Sequence, residues 1–303
     1  MPSVERFPRR LPPLPNPAAQ PMRLGIAGVG LIGASIGLRA AQLGWEVTAW
    51  DTSTENLRLF RDRCALGNEA RSLEELGALV DTLVLAAPLE ATLAHLAQLS
   101  AHPPDATLVV DVASLKSVVS RAGATLETFV ATHPIAGSER SGPTAADRNL
   151  FDGRVWTYDT GATFAARRAA ALFIEAMGAL PLEISSEEHD RIVALTSHLP
   201  QVVSVALGTL LAGQLADKRF AQLSGTGMSS MLRLAGSSWP MWQSILSTNG
   251  GAIAQEVRQL GNILSHIADA LEDGQSDALA RDFETAAGAA ARLAANDAGS
   301  NER

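Results

Sequence analysis

The longest regular pattern of apolar and polar residues lies near the start of the chain, around a glycine-rich turn. An apolar run over residues 24–27 leads into the turn, Gly28 to Gly33, and an Ala-rich segment with helical spacing follows. A second apolar run, over residues 47–50, ends in Asp51. This order predicts a strand, a tight turn, a helix and a second strand that ends in a carboxylate.

The glycines of this turn have the spacing of a dinucleotide-binding site, in which each has its own task. Gly28 permits the tight turn, Gly30 lets the backbone approach a pyrophosphate, and Gly33 lets the helix pack closely on the strand. The predicted helix N-terminus, at Leu31 and Ile32, supplies free N–H groups to the phosphates. The strand and helix around the glycines favour dinucleotide binding over an ordinary turn.

Asp51 indicates which dinucleotide is bound. A carboxylate at the end of the second strand accepts hydrogen bonds from ribose hydroxyls and repels a 2′-phosphate. The next residues, Thr52 to Thr54, include no Arg that would reverse this preference, so we expect NAD. Asp51 could instead only cap the next helix, although Thr52 or Ser53 could fill that role.

Further apolar runs of strand length alternate with helical segments up to residue 184. The predicted strands are 82–86, 107–112, 129–132, 155–158 and 180–184. This alternation predicts an α/β fold with a doubly wound, Rossmann-type parallel sheet, in which ligands bind beyond the carboxyl ends of the strands. Three polar clusters follow such ends: Ala87-Pro88, which we place in the cofactor site, Ser114-Leu115-Lys116, and the segment from His133 to Glu139.

Strand-like runs end after residue 184, and long helical periodicity begins. Ser185 and Glu188 have the spacing of a capping box ahead of a helix with one apolar face. Pro200 interrupts this helix, and we expect a kink beside His198.

A second long helix is predicted to begin near Pro240. It carries an apolar seam from residue 253 to residue 271, which suits packing between helices within or between subunits. An Ala-rich helix over 277–295 follows. The chain therefore divides into a proline-rich, disordered arm (1–21), a dinucleotide-binding domain (22–184), an all-helical dimerisation and substrate domain (185–295) and a polar tail (296–303).

The composition and net charge of the chain indicate which kinds of partner it is expected to bind. The chain is 47% apolar and 18% charged, which is typical of a globular protein, and its net charge of −8 favours neither nucleic acid nor an anionic membrane as a partner. The single cysteine, Cys64, excludes an internal disulfide and is expected as a small buried residue in a reducing compartment. With no apolar run long enough to span a bilayer, no secretory signal and no metal-ligand cluster, we expect a cytoplasmic protein without a metal.

His133 is the strongest candidate for acid–base chemistry, because it follows a predicted strand and begins a His-Pro turn. A neutral imidazole there could take the proton from an alcohol whose carbon gives up a hydride. Ser114, at the end of the neighbouring strand, could orient the imidazole or contact the same hydroxyl. The alternative is a histidine that only forms a hydrogen bond within the turn.

At this point the sequence resembles the prephenate/arogenate dehydrogenase family of tyrosine biosynthesis. The matching segments lie in the same order along nearly the whole chain. They are GVGLIGAS (28–35), DVASLK (111–116), HPIAGSERSG (133–142), NLFDG (149–153), EHD (188–190), SHLP (197–200) and RLAGSSWPMW (233–242).

The resemblance implies roles for individual residues. His133 would be the catalytic histidine, Ser114 its partner at the substrate hydroxyl, and Arg233 the cation that binds a substrate carboxylate. His198 is similar to a second active-site histidine of the family, with a structural histidine at a helix interface as the alternative. Lys116 matches a motif lysine that either contacts substrate or supports its loop.

The resemblance also implies the reaction, which is oxidative decarboxylation with hydride transfer to NAD+. The apolar seam at 253–271 and the long apolar helices separately lead us to expect a homodimer built on the helical domain. Prephenate is preferred here over arogenate, and Glu139 is the candidate to distinguish a keto group from an ammonium group. The family often has charged residues before Arg233, whereas this chain has Met228 to Leu232, without charge. Two alternatives remain: a β-hydroxyacid dehydrogenase, which would typically use a lysine where this chain has His198, and a nucleotide sensor without catalysis.

Overall fold

The computed structural model describes residues 21–63, 68–137, 140–214 and 216–301. The predicted arm, apart from residue 21, lies outside the described residues, and so do Cys64 and Glu139. Expectations for these positions therefore stay predictions.

A six-stranded parallel sheet forms the centre of the first half. Its strands are β1 (Arg23–Ala27), β2 (Glu46–Trp50), β3 (Asn68–Glu69), β4 (Thr82–Leu85), β5 (Leu108–Asp111) and β6 (Phe129–Val130). Their order across the sheet is β3-β2-β1-β4-β5-β6, and every neighbouring pair is parallel. The order of the strands reverses at β1, since β2 and β3 lie on one side of it and β4 to β6 lie on the other. This switch opens a crevice at the carboxyl ends of β1 and β4.

Helices cover both faces of this sheet. They are α1 (Leu31–Gln42), α2 (Thr54–Arg63), α3 (Leu73–Leu79), α4 (Leu89–Ala101), α5 (Ser117–Ala122) and α6 (Phe164–Ala176). Successive strand residues point to opposite faces, so Val84 packs in the core beneath α1, α2 and α6, and Leu83 and Leu85 pack beneath α3 and α4. The predicted doubly wound α/β fold is confirmed.

The later strands form a separate sheet, which corrects the expectation of one continuous sheet. This second sheet contains β7 (Thr132–Pro134), β8 (Val155–Asp159) and β9 (Leu180–Ile184), with β7 antiparallel to β8 and β8 parallel to β9. The predicted strand 129–132 is split because the Thr132 N–H donates to the Asp111 side chain, 2.9 Å away. The chain leaves the parallel sheet at this point and carries His133 into the second sheet.

The second half is helical, as predicted. It contains α7 (Ser186–Val193), a π-helical turn (Ala194–His198), α8 (Leu199–Ala212), α9 (Lys218–Leu223), α10 (Thr226–Leu232), α11 (Trp239–Thr248), α12 (Gly250–Glu272) and α13 (Ser276–Asn301). The Ser185 hydroxyl accepts from the Glu188 N–H, so the predicted N-terminal cap is present. The disruption expected from Pro200 takes the form of the π turn that ends at His198.

Two helix boundaries differ from the prediction. The helix expected to run from near Pro240 through the apolar seam is two helices, α11 and α12, which meet at Asn249. The Gly250-Gly251 pair that follows lowers helix propensity, which favours a break there. The last helix continues to Asn301, beyond the predicted start of the tail.

The continuous helical segment Ser186–Ala212 is long and apolar enough, by length and composition, to cross a membrane. It also carries His189, Asp190 and His198, whose side chains are buried. His189 and Asp190 are hydrogen-bonded to each other and to neighbouring residues, which indicates that this face of the segment packs inside the protein.

Candidate active site

The glycine turn has the geometry that a pyrophosphate needs. Gly28 has φ +100°, and a side-chain carbon there would lie 2.7 Å from the Ala86 carbonyl oxygen. A side-chain carbon on Gly33 would overlap the Gly28 carbonyl. Gly30 is different, because no atom lies within 4 Å of the position that its Cβ would take. The open space at Gly30, at the N-terminus of α1, fits the phosphates of a dinucleotide.

Asp51 lies beside this turn and bonds to it. Its Oδ2 accepts from the Val29 N–H at 2.8 Å, and its Oδ1 accepts from the Ser53 N–H at 2.7 Å. The hydroxyl of Ser53, and not Asp51, accepts from the Asn56 N–H in the first turn of α2. Asp51 is therefore not needed as a helix cap, and its half-buried carboxylate fits a ribose.

The remaining residues predicted for the cofactor lie around the same crevice. Leu31 and Ile32 form the first turn of α1 and are partly buried. Pro88 precedes α4, and the Ala87 carbonyl accepts from the Thr92 hydroxyl at 3.0 Å. The fold thus brings all the residues predicted for the cofactor to the switch point of the sheet.

His133 lies in β7 and is linked to Asp190 through a second histidine. Its Nδ1 is 3.0 Å from the Nε2 of His189, and the two rings meet edge to face. The Nδ1 of His189 is 2.9 Å from Asp190 Oδ1. The order Asp190, His189, His133 is a continuous chain of hydrogen bonds.

The positions of the protons along these hydrogen bonds follow from the carboxylate of Asp190. Burial acts to raise the pKa of Asp190, but hydrogen bonds from His189 and from the N–H groups of Lys116 (2.8 Å) and Ser117 (2.9 Å) outweigh it and hold the pKa below its usual value. An ionised carboxylate only accepts, so His189 carries its proton on Nδ1 and accepts at Nε2. His133 therefore donates from Nδ1, and its Nε2 keeps a lone pair.

Burial also lowers the pKa of His133 well below its ordinary value of 6.5. The Lys116 charge and the neighbouring His189 and His198 lower the pKa further, and the Asp190 charge opposes them. The ring is neutral near pH 7, and a neutral ring with a lone pair on Nε2 can act as a base.

Lys116 is buried beside the start of β7. Its Nζ donates to Asp111 Oδ2 at 2.5 Å and to the Thr132 carbonyl at 2.7 Å, and the residue is only 2% exposed. Burial lowers the pKa of Lys116 and raises that of Asp111, and the attraction between them opposes both shifts. Of the two roles considered for Lys116, substrate contact and loop support, its position favours loop support, because its ammonium is enclosed where it holds the start of β7 next to His133.

Ser114 and Arg233 are not bonded to the histidine chain. Ser114 lies exposed on the loop before α5 and forms no hydrogen bond within the described part of the chain, so His189 is the residue that orients His133. Arg233 is exposed at the edge of a cavity of about 240 Å³. The other lining residues are Leu195, Leu199, Pro200, Val203, Ser230, Met231 and Leu234. This cavity includes the first turn of α8, directly after His198.

His198 is buried at the end of the π turn, and burial lowers its pKa to about 4. Its Nδ1 lies 3.4 Å from the Asn249 Nδ2, and its ring meets that of Trp242 edge to face at 5.8 Å. Asn249 also donates to the Asp190 carbonyl at 3.0 Å. Because the N–H groups of Lys116 and Ser117 also donate to Asp190, both halves of the molecule meet at this residue.

Sequence reasoning gave no role to His189, Asp190 or Asn249. His189 and Asp190 lie within the EHD segment, where an imidazole next to a carboxylate could have drawn attention. Asn249 stands at a helix junction that the sequence pattern did not reveal.

A Rossmann-type crevice shaped for a dinucleotide, next to a partly buried, neutral histidine, defines a class of two-domain, dinucleotide-dependent oxidoreductases. Within that class, this chain belongs to the prephenate dehydrogenase family. Residues 36–165 match the model for the nucleotide-binding domain of prephenate dehydrogenase, and residues 185–285 match the model for its dimerization domain.

Relatives and solved structures agree with this family. The probable prephenate dehydrogenase NovF of Streptomyces niveus is 34% identical over 81% of this chain and 68% of its own length. The prephenate dehydrogenase of Bacillus subtilis is 31% identical over 86% of this chain and 73% of its own length. The structure of prephenate dehydrogenase from A. aeolicus, in complex with hydroxyphenyl propionate and NAD+, has the same fold, with a TM-score of 0.81, 22% identity, and coverage of 88% of this chain and 96% of that one.

Proposed function

We propose that this protein catalyses the NAD-dependent oxidative decarboxylation of prephenate to 4-hydroxyphenylpyruvate. The observation that carries the proposal is the hydrogen-bonded chain from Asp190 through His189 to His133. It supplies a neutral base at the interface of the two halves, where a substrate can meet a nicotinamide. A nucleotide sensor would not need such a chain.

The proposed chemistry requires one proton acceptor and no metal. NAD+, held by the crevice around Gly30 and Asp51, would supply the acceptor for the hydride that leaves the ring carbon carrying the hydroxyl. His133 Nε2 accepts the hydroxyl proton, and Asp190 stabilises the resulting imidazolium through His189. Carbon dioxide leaves the opposite ring carbon as the ring becomes aromatic, so the protein has only to position the ring and hold its carboxylates.

The preference for NAD over NADP rests on Asp51. Its carboxylate is held in place by Val29 and Ser53, and Thr52 is the neighbour where an Arg would be needed for a 2′-phosphate. The geometry of Asp51 supports a ribose with free hydroxyls.

The substrate carboxylate is assigned to Arg233, whose exposed guanidinium stands at the edge of an apolar cavity. An apolar wall with a single cation suits a carboxylate attached to a ring. Prephenate is preferred over L-arogenate, since none of the described residues that line this cavity is acidic and able to receive an ammonium group. Both relatives described above carry the name prephenate dehydrogenase, which supports the same choice.

We place the working form as a cytoplasmic homodimer built on the helical half. Large apolar side chains are exposed on α8, α12 and α13, including Leu210 (74%), Leu264 (58%) and Phe283 (74%). A second copy of the same surface would cover them, as the match to a dimerization domain supports.

One assay tests the reaction. The purified chain is mixed with NAD+ and, in separate experiments, with prephenate, L-arogenate or a simple β-hydroxyacid, and NADH is followed at its absorbance maximum. We expect the highest kcat/KM with prephenate and no turnover of the hydroxyacid. A higher kcat/KM with L-arogenate would change the substrate and keep the reaction class, whereas turnover of the hydroxyacid alone would refute the proposal.

A further inference from the structure

Asn249 links the helix junction to the histidine cluster. It lies between α11 and α12, partly buried, and it reaches across to α7 and to the end of the π turn. Its Nδ2 donates to the Asp190 carbonyl at 3.0 Å and faces His198 Nδ1 at 3.4 Å. No role in the reaction has so far been given to this residue.

The contact with Asp190 determines which way the Asn249 amide faces. A backbone carbonyl can only accept, so the atom that faces it must be the NH2 group and not the amide oxygen. The second hydrogen of the same NH2 group then points to His198. The Nδ1 of His198 therefore acts as the acceptor.

An acceptor at Nδ1 places the single proton of neutral His198 on Nε2. Burial keeps the ring neutral, because it lowers the pKa of His198 to about 4. Within the described part of the chain, the Nε2 of His198 has no hydrogen-bond partner. It is not fully enclosed either, so part of its surface stays accessible. This N–H is available to a ligand.

We propose that Asn249 is a positioning residue that holds His198 in the Nε2–H tautomer, so that His198 donates a hydrogen bond to a carbonyl or carboxylate oxygen of the substrate. The proposal deepens the proposed function and rests on it for the identity of the substrate. His133 has the opposite tautomer, with the proton on Nδ1 and the lone pair on Nε2. His133 therefore acts as the base, and His198 acts as the hydrogen-bond donor.

The tautomer can be measured without any substrate. The full-length protein is labelled with nitrogen-15 in its six histidines, and long-range proton–nitrogen correlation spectra are recorded near pH 7 with NAD+ present. The His198 signals are identified by their loss in His198→Gln. We expect the Nε2–H pattern for His198, and an Nδ1–H or imidazolium pattern would overturn the proposal.

The variant Asn249→Asp tests whether Asn249 sets the tautomer of His198. A carboxylate in place of the amide accepts from Nδ1, so His198 should change to the Nδ1–H form, and the KM for prephenate should rise about tenfold through loss of one hydrogen bond. The acid limb of kcat, which belongs to His133, should not move. If His198 keeps its Nε2–H form while KM rises, Asn249 is only structural and the proposal fails.

Two further variants keep the test decisive. Asn262→Asp places the same charge on the exposed side of α12 and should change neither the tautomer nor KM. If Asn249→Asp does not fold, Asn249→Ala should give a mixture of both tautomers, and an unmixed Nε2–H form would contradict the proposal. Absence of NADH formation from prephenate would refute the proposed function alone, since the wild-type tautomer is measured independently.

Discussion

The two halves of the molecule bury their apolar residues very differently. Almost all of the described apolar side chains that are buried lie in the nucleotide-binding half and in α7, and beyond Ala194 only Ile253 and Ala270 join them. The helical half leaves large side chains such as Leu223 (87% exposed) and Trp239 (63% exposed) at its surface. The first half has a complete core of its own, whereas the second half leaves an apolar surface exposed, as expected for the homodimer proposed above.

The polar residues show a second contrast. The nucleotide-binding half holds His133 as a base, and the helical half reaches the same place with His189, Asp190 and His198. Asp190 accepts from His189 at its side chain and from Asn249 at its backbone carbonyl, and Asn249 in turn faces His198. The site therefore requires both halves, and substitutions in each should have separable effects.

The largest effect is expected from His133→Asn. The amide keeps a hydrogen bond to His189 but has no basic nitrogen, so kcat should fall about a hundredfold or more, while NAD+ affinity stays nearly unchanged. His102→Asn, at an exposed position after α4, is the matched control and should be neutral. Near-normal turnover by His133→Asn would move the proton acceptor elsewhere, with His198 as the first candidate.

The exposed apolar face of the helical half is tested by Leu264→Asp. Leu264 is 58% exposed on the surface that we propose for the homodimer, so a charge there should reduce the protein to a species of 31.8 kDa in sedimentation at micromolar concentration. Leu43→Asp makes the same change at a leucine that is 42% exposed in the nucleotide-binding half, and it should leave the dimer intact. A wild-type protein that sediments only as a monomer would remove the contrast between the halves.

Lys116→Met tests the buried support beneath His133. Removal of the cation leaves the fully buried Asp111 unpaired, so the free energy of unfolding should fall by about 3 to 5 kcal/mol in urea titrations. The double variant Asp111→Asn/Lys116→Met should recover part of that loss. An unchanged stability of the single variant would show that the pair contributes little.

The smallest change concerns cofactor choice. Asp51→Ser combined with Thr52→Arg should shift the ratio of kcat/KM for NADP+ over NAD+ by about tenfold to a hundredfold, because a charge-assisted contact replaces a repulsion. Thr52→Arg alone should shift it less, since the carboxylate remains. Comparable efficiency of the wild-type enzyme with both cofactors would contradict the role of Asp51.

Sequence patterns predicted the elements that depend on local rules. The glycine turn and the cap at Ser185 follow from backbone conformation, and the structure confirms both. The disruption expected near Pro200 takes the form of a π turn within a continuous helical segment. The separate second sheet depends on a side chain distant in sequence, because Asp111 captures the N–H of Thr132. No periodicity along the chain contains that information.

The candidate site, like the fold, could be predicted from the sequence only where it depends on local rules. His133 could be chosen because it stands at a strand end, but its partners lie 56 residues further along the chain, in α7. The enclosed ammonium of Lys116 was equally hidden, since burial of a lysine depends on a carboxylate that only the fold brings near.

The central claim is that neutral His133 takes the proton, and the pH dependence of kcat tests it most directly. Burial lowers the pKa of His133 below 6.5, so the base is present above that pKa and is lost only as the pH falls through it. With saturating prephenate and NAD+, we predict that kcat stays level as the pH falls to 6.5 and decreases only at lower pH, and that this acid limb is absent in His133→Asn. An acid limb centred at or above pH 6.5, or one that persists unchanged in His133→Asn, would contradict the claim.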